Sequence, residues 1–445
     1  MRILILGNDG RAHAYAWHML TRSLASEVIC APGNGGTAPL AATADLDPQQ
    51  TMEIARWCFD EQIDLVIPSS SAPLLNGLTD EAISLQGGVC GPAQRTATLE
   101  QSRCQIKEFA LRYGIPTAPG RSCTDLATAE RFLATQPLPV MIKANHPSGG
   151  EQIYHDRYSA LEGLRTFFVN RPLESQRPGV VIEAVLNGPR VVLSALTDGE
   201  TVLPLLAARL YDQAEPNGPV AAGVGAQTGI STFARQLTEF LQRKFLTPIV
   251  AGLAAEQLPC WGVIGIDCII TADGPRLTSI RFSLREGEAQ VVLPRLEDDL
   301  APYLQATITR RLGAMPALRW SPTYSVGLGI FARGYPISFP YGSLIHGLDE
   351  LDEGILLFHS STANPSAIVR YTPKQRGGID RMIDQVLGIN RGGSNSLHST
   401  GGLVATIVAQ GATLAGARGR AQINAGRIRF DAATFREDIA AKEFA

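Results

Sequence analysis

The 445-residue chain carries no cysteine pattern with a ready use: its seven Cys (30, 58, 90, 104, 123, 260 and 268) are odd in number and lack CxxC spacing. A disulfide framework and a zinc knuckle are thereby excluded, and a reducing compartment fits. Charge of either sign is not in excess. Lys plus Arg is 39 and Asp plus Glu is 42, so the net charge is −3, which disfavours polyanion binding; no nucleic-acid partner is expected. No apolar run reaches the ~18 residues of a membrane span. The start, MRILILGNDG, is too short an apolar run for a secretory signal, so a cytoplasmic protein with no membrane partner is expected. Gly-x-Ser-x-Gly does not occur, which leaves a hydrolase nucleophile elbow unsupported. The seven His lack metalloprotease-type spacing.

A hydrophobic content of 45% is enough for packed cores, and the length suggests about three compact units. Ile3 to Leu6 reads as a strand buried on both faces. Gly7-Asn8-Asp9-Gly10-Arg11 then leads into a helix, with Ala14, Trp17 and Leu20 on one face. Val28 to Ala31 and Leu65 to Pro68 repeat the strand signal, with a helix from Thr51 to Gln62 between them. Strand, Gly-rich turn and helix open a doubly wound α/β unit, ending near residue 100. Beyond it, Pro139 to Ala144 reads as a strand. Val180 to Val185 and Val191 to Thr197 read as a hairpin across Asn187-Gly188, and Trp261 to Thr271 with Arg276 to Leu284 as another around Asp273-Gly274. From Ser325 short strands and Gly-rich turns prevail. An exposed insertion with a short helix is expected near 374–396, and the last helix over Leu414 to Ile423.

The first loop is a candidate phosphate cradle, because backbone N–H groups at a helix N-terminus favour anions and Arg11 adds charge. The full dinucleotide fingerprint is missing, and a plain strand-to-helix turn explains the same residues. Other segments narrow the choice. GNDGRAHAYAW, APGNGGTA, Tyr113-Gly114-Ile115-Pro116-Thr117 and VVLPRLEDDL at 291–300, followed by Gly334-Tyr335-Pro336, Phe358-His359, Gly401-Gly402 and FREDIA at 435–440, run in one order along the chain. Together they resemble the phosphoribosylamine–glycine ligase family, whose members are ATP-grasp enzymes of purine synthesis.

The resemblance implies an α/β fold with an N-terminal doubly wound (preATP-grasp) domain over 1–100. A central ATP-grasp core would occupy 101–120 and 188–324, its small lid 121–187, and a β-rich C-terminal domain 325–445. It implies ATP and Mg²⁺, a carboxylate activated as an acyl phosphate, and an amine that attacks it. Small-molecule substrates, an amine plus a carboxylate, are the implied partners.

Carried over residue by residue, the resemblance assigns Arg103, Lys143, Gly149, Gly150, Glu183, Ala184 and Val185 to the nucleotide, with backbone groups near Ala184 and Val185 facing the base. It assigns Asn8, Gly10, Arg11 and Lys107 to the substrates. Departures cluster at the chemistry. Glu151 stands where the family carries a loop lysine, and Pro189-Arg190 where it carries an acidic pair. Ser279 and Arg281 stand at the two metal-ligand positions, leaving Asp267 as the candidate first metal carboxylate. Ser69-Ser70-Ser71 lacks the carboxylate the family shows before Ala72-Pro73-Leu74. The expectation is a ligase-like protein with altered or impaired chemistry. The alternative is a degenerate homologue that binds a nucleotide or phosphate or partners another enzyme.

Overall fold

The computed structural model describes residues 1–23, 27–84, 88–169, 178–215, 218–229, 231–364 and 396–442. The insertion expected near 374–396 lies outside the described residues, apart from its last position.

The chain opens as the apolar run dictates. Strand Arg2–Gly7 sits between Glu27–Pro32 and Leu65–Pro68, all parallel, with Ala42–Thr43 on the outer edge. Ile3, Leu4, Ile5 and Leu6 are essentially inaccessible, each contributing about 1.5–3 kcal/mol of burial. Helix Gly10–Arg22 follows directly, its N-terminus capped by the Asp9 side chain accepting from the Ala12 N–H.

A second, antiparallel sheet orders Gly120–Cys123, Val180–Ala184, Val140–Ala144 and Glu151–Tyr154. It carries its own small core, with Leu133, Ile142, Leu164 and Ile182 at its centre. A third sheet of ten strands runs Gly274–Arg281, Gly262–Thr271, Arg190–Thr197, Ala208–Gln213, Val220–Thr228, Tyr324–Ala332, Leu403–Gly411 and Leu356–His359, with Val202–Pro204 and Ala433–Thr434 paired beside this path. The β-rich C-terminal part therefore extends the central sheet, joined where Val220–Thr228 meets Tyr324–Ala332.

The hairpin around Asp273-Gly274 forms as expected, but the one across Asn187-Gly188 does not. Val180–Ala184 belongs to the small sheet, and Arg190–Thr197 pairs with Gly262–Thr271 in the large one. Asn187-Gly188 is the crossover between them. Gly188 has φ +150°, and a Cβ there would collide with the Ile270 carbonyl, so the Asn-Gly pair serves close backbone approach in place of a tight turn.

Candidate nucleotide and substrate cleft

The small sheet presents Lys143 from its strand Val140–Ala144, and helix Arg103–Arg112 brings Lys107 beside it. Both ammonium groups meet one carboxylate. Lys107 Nζ donates to Glu183 Oε2 at 2.7 Å, and Lys143 Nζ stands 2.8 Å from Glu183 Oε1. Burial alone would raise the Glu183 acid, but Lys143 and Lys107 outweigh it and hold its pKa below the ordinary value. Lys107 also donates to the Ala118 carbonyl and, at 3.3 Å, to Thr117. It thus lies with Lys143 and Glu183.

Arg103 donates to the Gly150 carbonyl at 2.8 Å and pairs with Glu151 at 3.2 Å. Glu151 also lies 4.0 Å from Lys143. The Gly149 and Gly150 N–H groups point back into their own turn, to the carbonyls of His146 and Pro147. The Ala184 N–H donates to the Pro119 carbonyl at 2.8 Å. Val185 follows directly on the strand Val180–Ala184.

Asp267, from strand Gly262–Thr271, is wholly buried and ringed by arginines. Arg281 Nε lies 2.9 Å from its Oδ1, while Arg190 and Arg285 each approach Oδ2 at 2.6 Å. Burial would raise this acid, yet Arg285, Arg190 and Arg281 together hold it well below the carboxylate range. Arg190 also pairs with Asp212. Arg281 Nη2 stands 2.8 Å from Glu288 Oε2, near enough for charge attraction though not aligned as a hydrogen bond. Ser194 donates to Glu288 Oε1 at 2.7 Å, and the Arg285 N–H to Oε2 at 2.8 Å. Ser279 faces Asp267 across the strand pair, but its hydroxyl points to the Ile280 carbonyl at 3.4 Å. Among the described residues, no three His, Cys, Asp or Glu side chains group as a metal site would require.

Asp9 puts its own carboxylate at the helix N-terminus, and Arg11 forks onto it at 2.5 and 3.0 Å while reaching Glu286 at 3.4 Å. The Asn8 carbonyl accepts from the Asn34 amide at 3.1 Å. Gly10 packs so closely against Gln290, Glu286 and Ser360 that a Cβ would collide with all three. Glu286 accepts from Gln290 at 2.6 Å and from Ser360 at 3.1 Å. Burial, then the Asp9 charge, pushes its pKa up to about 7. Nearby, the His359 N–H donates to His13 Nδ1 at 2.9 Å, and Asn34 bridges to the His359 carbonyl at 2.8 Å.

Sequence reasoning missed Asp9, Asn34, Ser194, Arg285, Gln290 and Ser360 as members of these clusters. Asp9, next to a helix start, carried a legible capping signal. The others are joined by contacts across long sequence separations, and no local pattern marks them.

A parallel N-terminal sheet, a small antiparallel sheet bearing Lys143, and a large antiparallel sheet bearing Asp267 define an ATP-grasp protein. Residues 1–100 match the phosphoribosylglycinamide synthetase N domain, 101–290 its ATP-grasp (A) domain, and 325–442 its C domain. The chain is 31% identical over 447 residues to the phosphoribosylamine–glycine ligase of Phenylobacterium zucineum, covering 99% of this chain and 98% of that one. It is 31% identical to the Leifsonia xyli enzyme over 449 residues, 99% of this chain and all of that one. The crystal structure of the Thermotoga maritima phosphoribosylamine–glycine ligase superposes with a TM-score of 0.78 at 21% identity, over 99% and 100% of the two chains. A biotin carboxylase domain from Hydrogenobacter thermophilus, solved with MgADP, shares the fold at a TM-score of 0.66 and 15% identity, over 99% of this chain and 94% of that one. This chain belongs to the phosphoribosylamine–glycine ligase family. No helix among the described residues is long and apolar enough to cross a membrane.

Proposed function

We propose that this chain is a divergent ligase-family protein in which ATP-dependent joining of an amine to a carboxylate, through an acyl phosphate, is strongly impaired. One observation carries the reading. The cations around this cleft are already engaged by protein carboxylates: Lys143 and Lys107 by Glu183, and Arg103 by Glu151. Phosphates entering this cleft must displace those carboxylates or bear their repulsion. A lost contact to developing charge costs about 3–4 kcal/mol of barrier, a factor of roughly 10²–10³. The assigned nucleotide residues Arg103, Lys143, Gly149, Gly150, Glu183, Ala184 and Val185 form the cleft in this reading, and the Asn8–Arg11 loop faces the small-molecule substrates. The division at residues 100, 120, 187 and 324 is part of the same proposal. Seven buried, unpaired thiols support a cytoplasmic setting.

The test is phosphate release from ATP with Mg²⁺, glycine and phosphoribosylamine. Turnover at least about 100-fold below that of an ordinary enzyme is expected. A normal turnover number would overturn the reading.

A further inference from the structure

The positions at which the family resemblance implies a divalent cation do not fit one. Mg²⁺ demands about six oxygen ligands in near-octahedral order. Of the two family ligand positions, Ser279 turns its hydroxyl away and Arg281 offers only donors. The two carboxylates that remain are satisfied by other groups. Both Asp267 oxygens face guanidinium nitrogens, and Glu288 is held by Ser194, the Arg285 N–H and the Arg281 charge. The Arg281 side chain is only 1% exposed and lies between these two acids, anchored also to Ser194 at 2.9 Å and to the Ser283 carbonyl.

We propose that Arg281 is the resident cation of this cleft, a guanidinium fixed by the fold in the electrostatic role of the divalent ion. The charges support it. Arg190, Arg281 and Arg285 face Asp212, Asp267 and Glu288, so three positive groups balance three negative ones. An added divalent ion would bring two further positive charges to a balanced cluster in which both oxygens of Asp267 and of Glu288 already face protein donors or cations. The consequence is a protein whose folded state, and whose binding of any anionic ligand in this cleft, does not depend on Mg²⁺. This deepens the reading above but is measured without turnover, so either can fail alone.

The test uses the full chain and Mn²⁺, whose free aquo form is read by electron paramagnetic resonance. Wild type is expected to leave the Mn²⁺ free, and its Tm to be the same in MgCl2 and in EDTA. Ser279→Glu with Arg281→Asn supplies two oxygen ligands and removes the guanidinium, and should tighten Mn²⁺ binding by at least about tenfold. Arg281→Lys, which keeps the charge, should leave Mn²⁺ free. Stoichiometric Mn²⁺ on wild type that is lost in Asp267→Asn overturns the proposal. So does a folded double variant that binds no better than wild type. Should the double variant not fold, the wild-type titration and Arg281→Lys decide.

Discussion

The Arg281 guanidinium spans two buried acids, 2.9 Å from Asp267 on one side and 2.8 Å from Glu288 on the other. It thereby ties strand Gly262–Thr271 to the short helix Glu288–Val292. Removing one partner of a buried pair leaves uncompensated charge. Arg281→Ala should lose about 3–5 kcal/mol in urea unfolding, with Arg281→Lys losing less. A loss below about 1 kcal/mol would mean that the acids do not depend on this guanidinium.

Glu151 draws on Arg103 and Lys143 at once, at 3.2 and 4.0 Å. The carboxylate is 36% exposed, so solvent screens the interaction and the gain from removing it is modest. Glu151→Gln should strengthen ADP binding by about 2–5-fold in calorimetry, chiefly through release of Arg103. Unchanged affinity would show that the nucleotide does not approach this loop.

The pH dependence of stability has two opposed limbs. Burial and the neighbouring His359 lower His13 from 6.5 to about 3, and burial lowers His359 to about 4. Folded protein binds fewer protons here than the unfolded chain, so this stabilisation is complete above pH 6.5 and is lost as pH falls from there toward 4 for His359 and toward 3 for His13. Glu286 acts in the other direction: raised from 4.5 to about 7, it stabilises fully below pH 4.5 and loses that contribution as pH rises to 7. In Tm against pH, His359→Gln should flatten the acid limb and Glu286→Gln the limb between 4.5 and 7. Parallel curves for variant and wild type would refute these assignments.

Gly188 crosses between the two sheets at φ +150° against the Ile270 carbonyl. Gly188→Ala should cost about 1–3 kcal/mol in thermal unfolding, from clash and backbone strain together. A neutral Ala variant would show that the crossover has room to shift.

Much of the fold was legible because its signals are local. The unbroken apolar run Ile3 to Leu6 could only be a doubly buried strand, and Asp273-Gly274 between apolar runs closed the hairpin it promised. Asn187-Gly188 carried the same turn signal and misled, since turn chemistry reports backbone freedom and not which strands will pair. Within the site, Glu151, Ser279 and Arg281 could be singled out in sequence order. Their consequences could not.

The sequence by itself determined the order of strands and helices, the family motifs and the residue types at each altered position, because periodicity and turn chemistry act over a few neighbours. Only the tertiary structure decided that Arg190 would reach Asp267 across 77 residues, that Arg11 would close on Asp9, and that Lys107 would join Lys143 on Glu183. The physical reason is that a charge takes its partner from whatever packing brings within a few ångströms in a site shielded from water, and that distance is set by the whole fold.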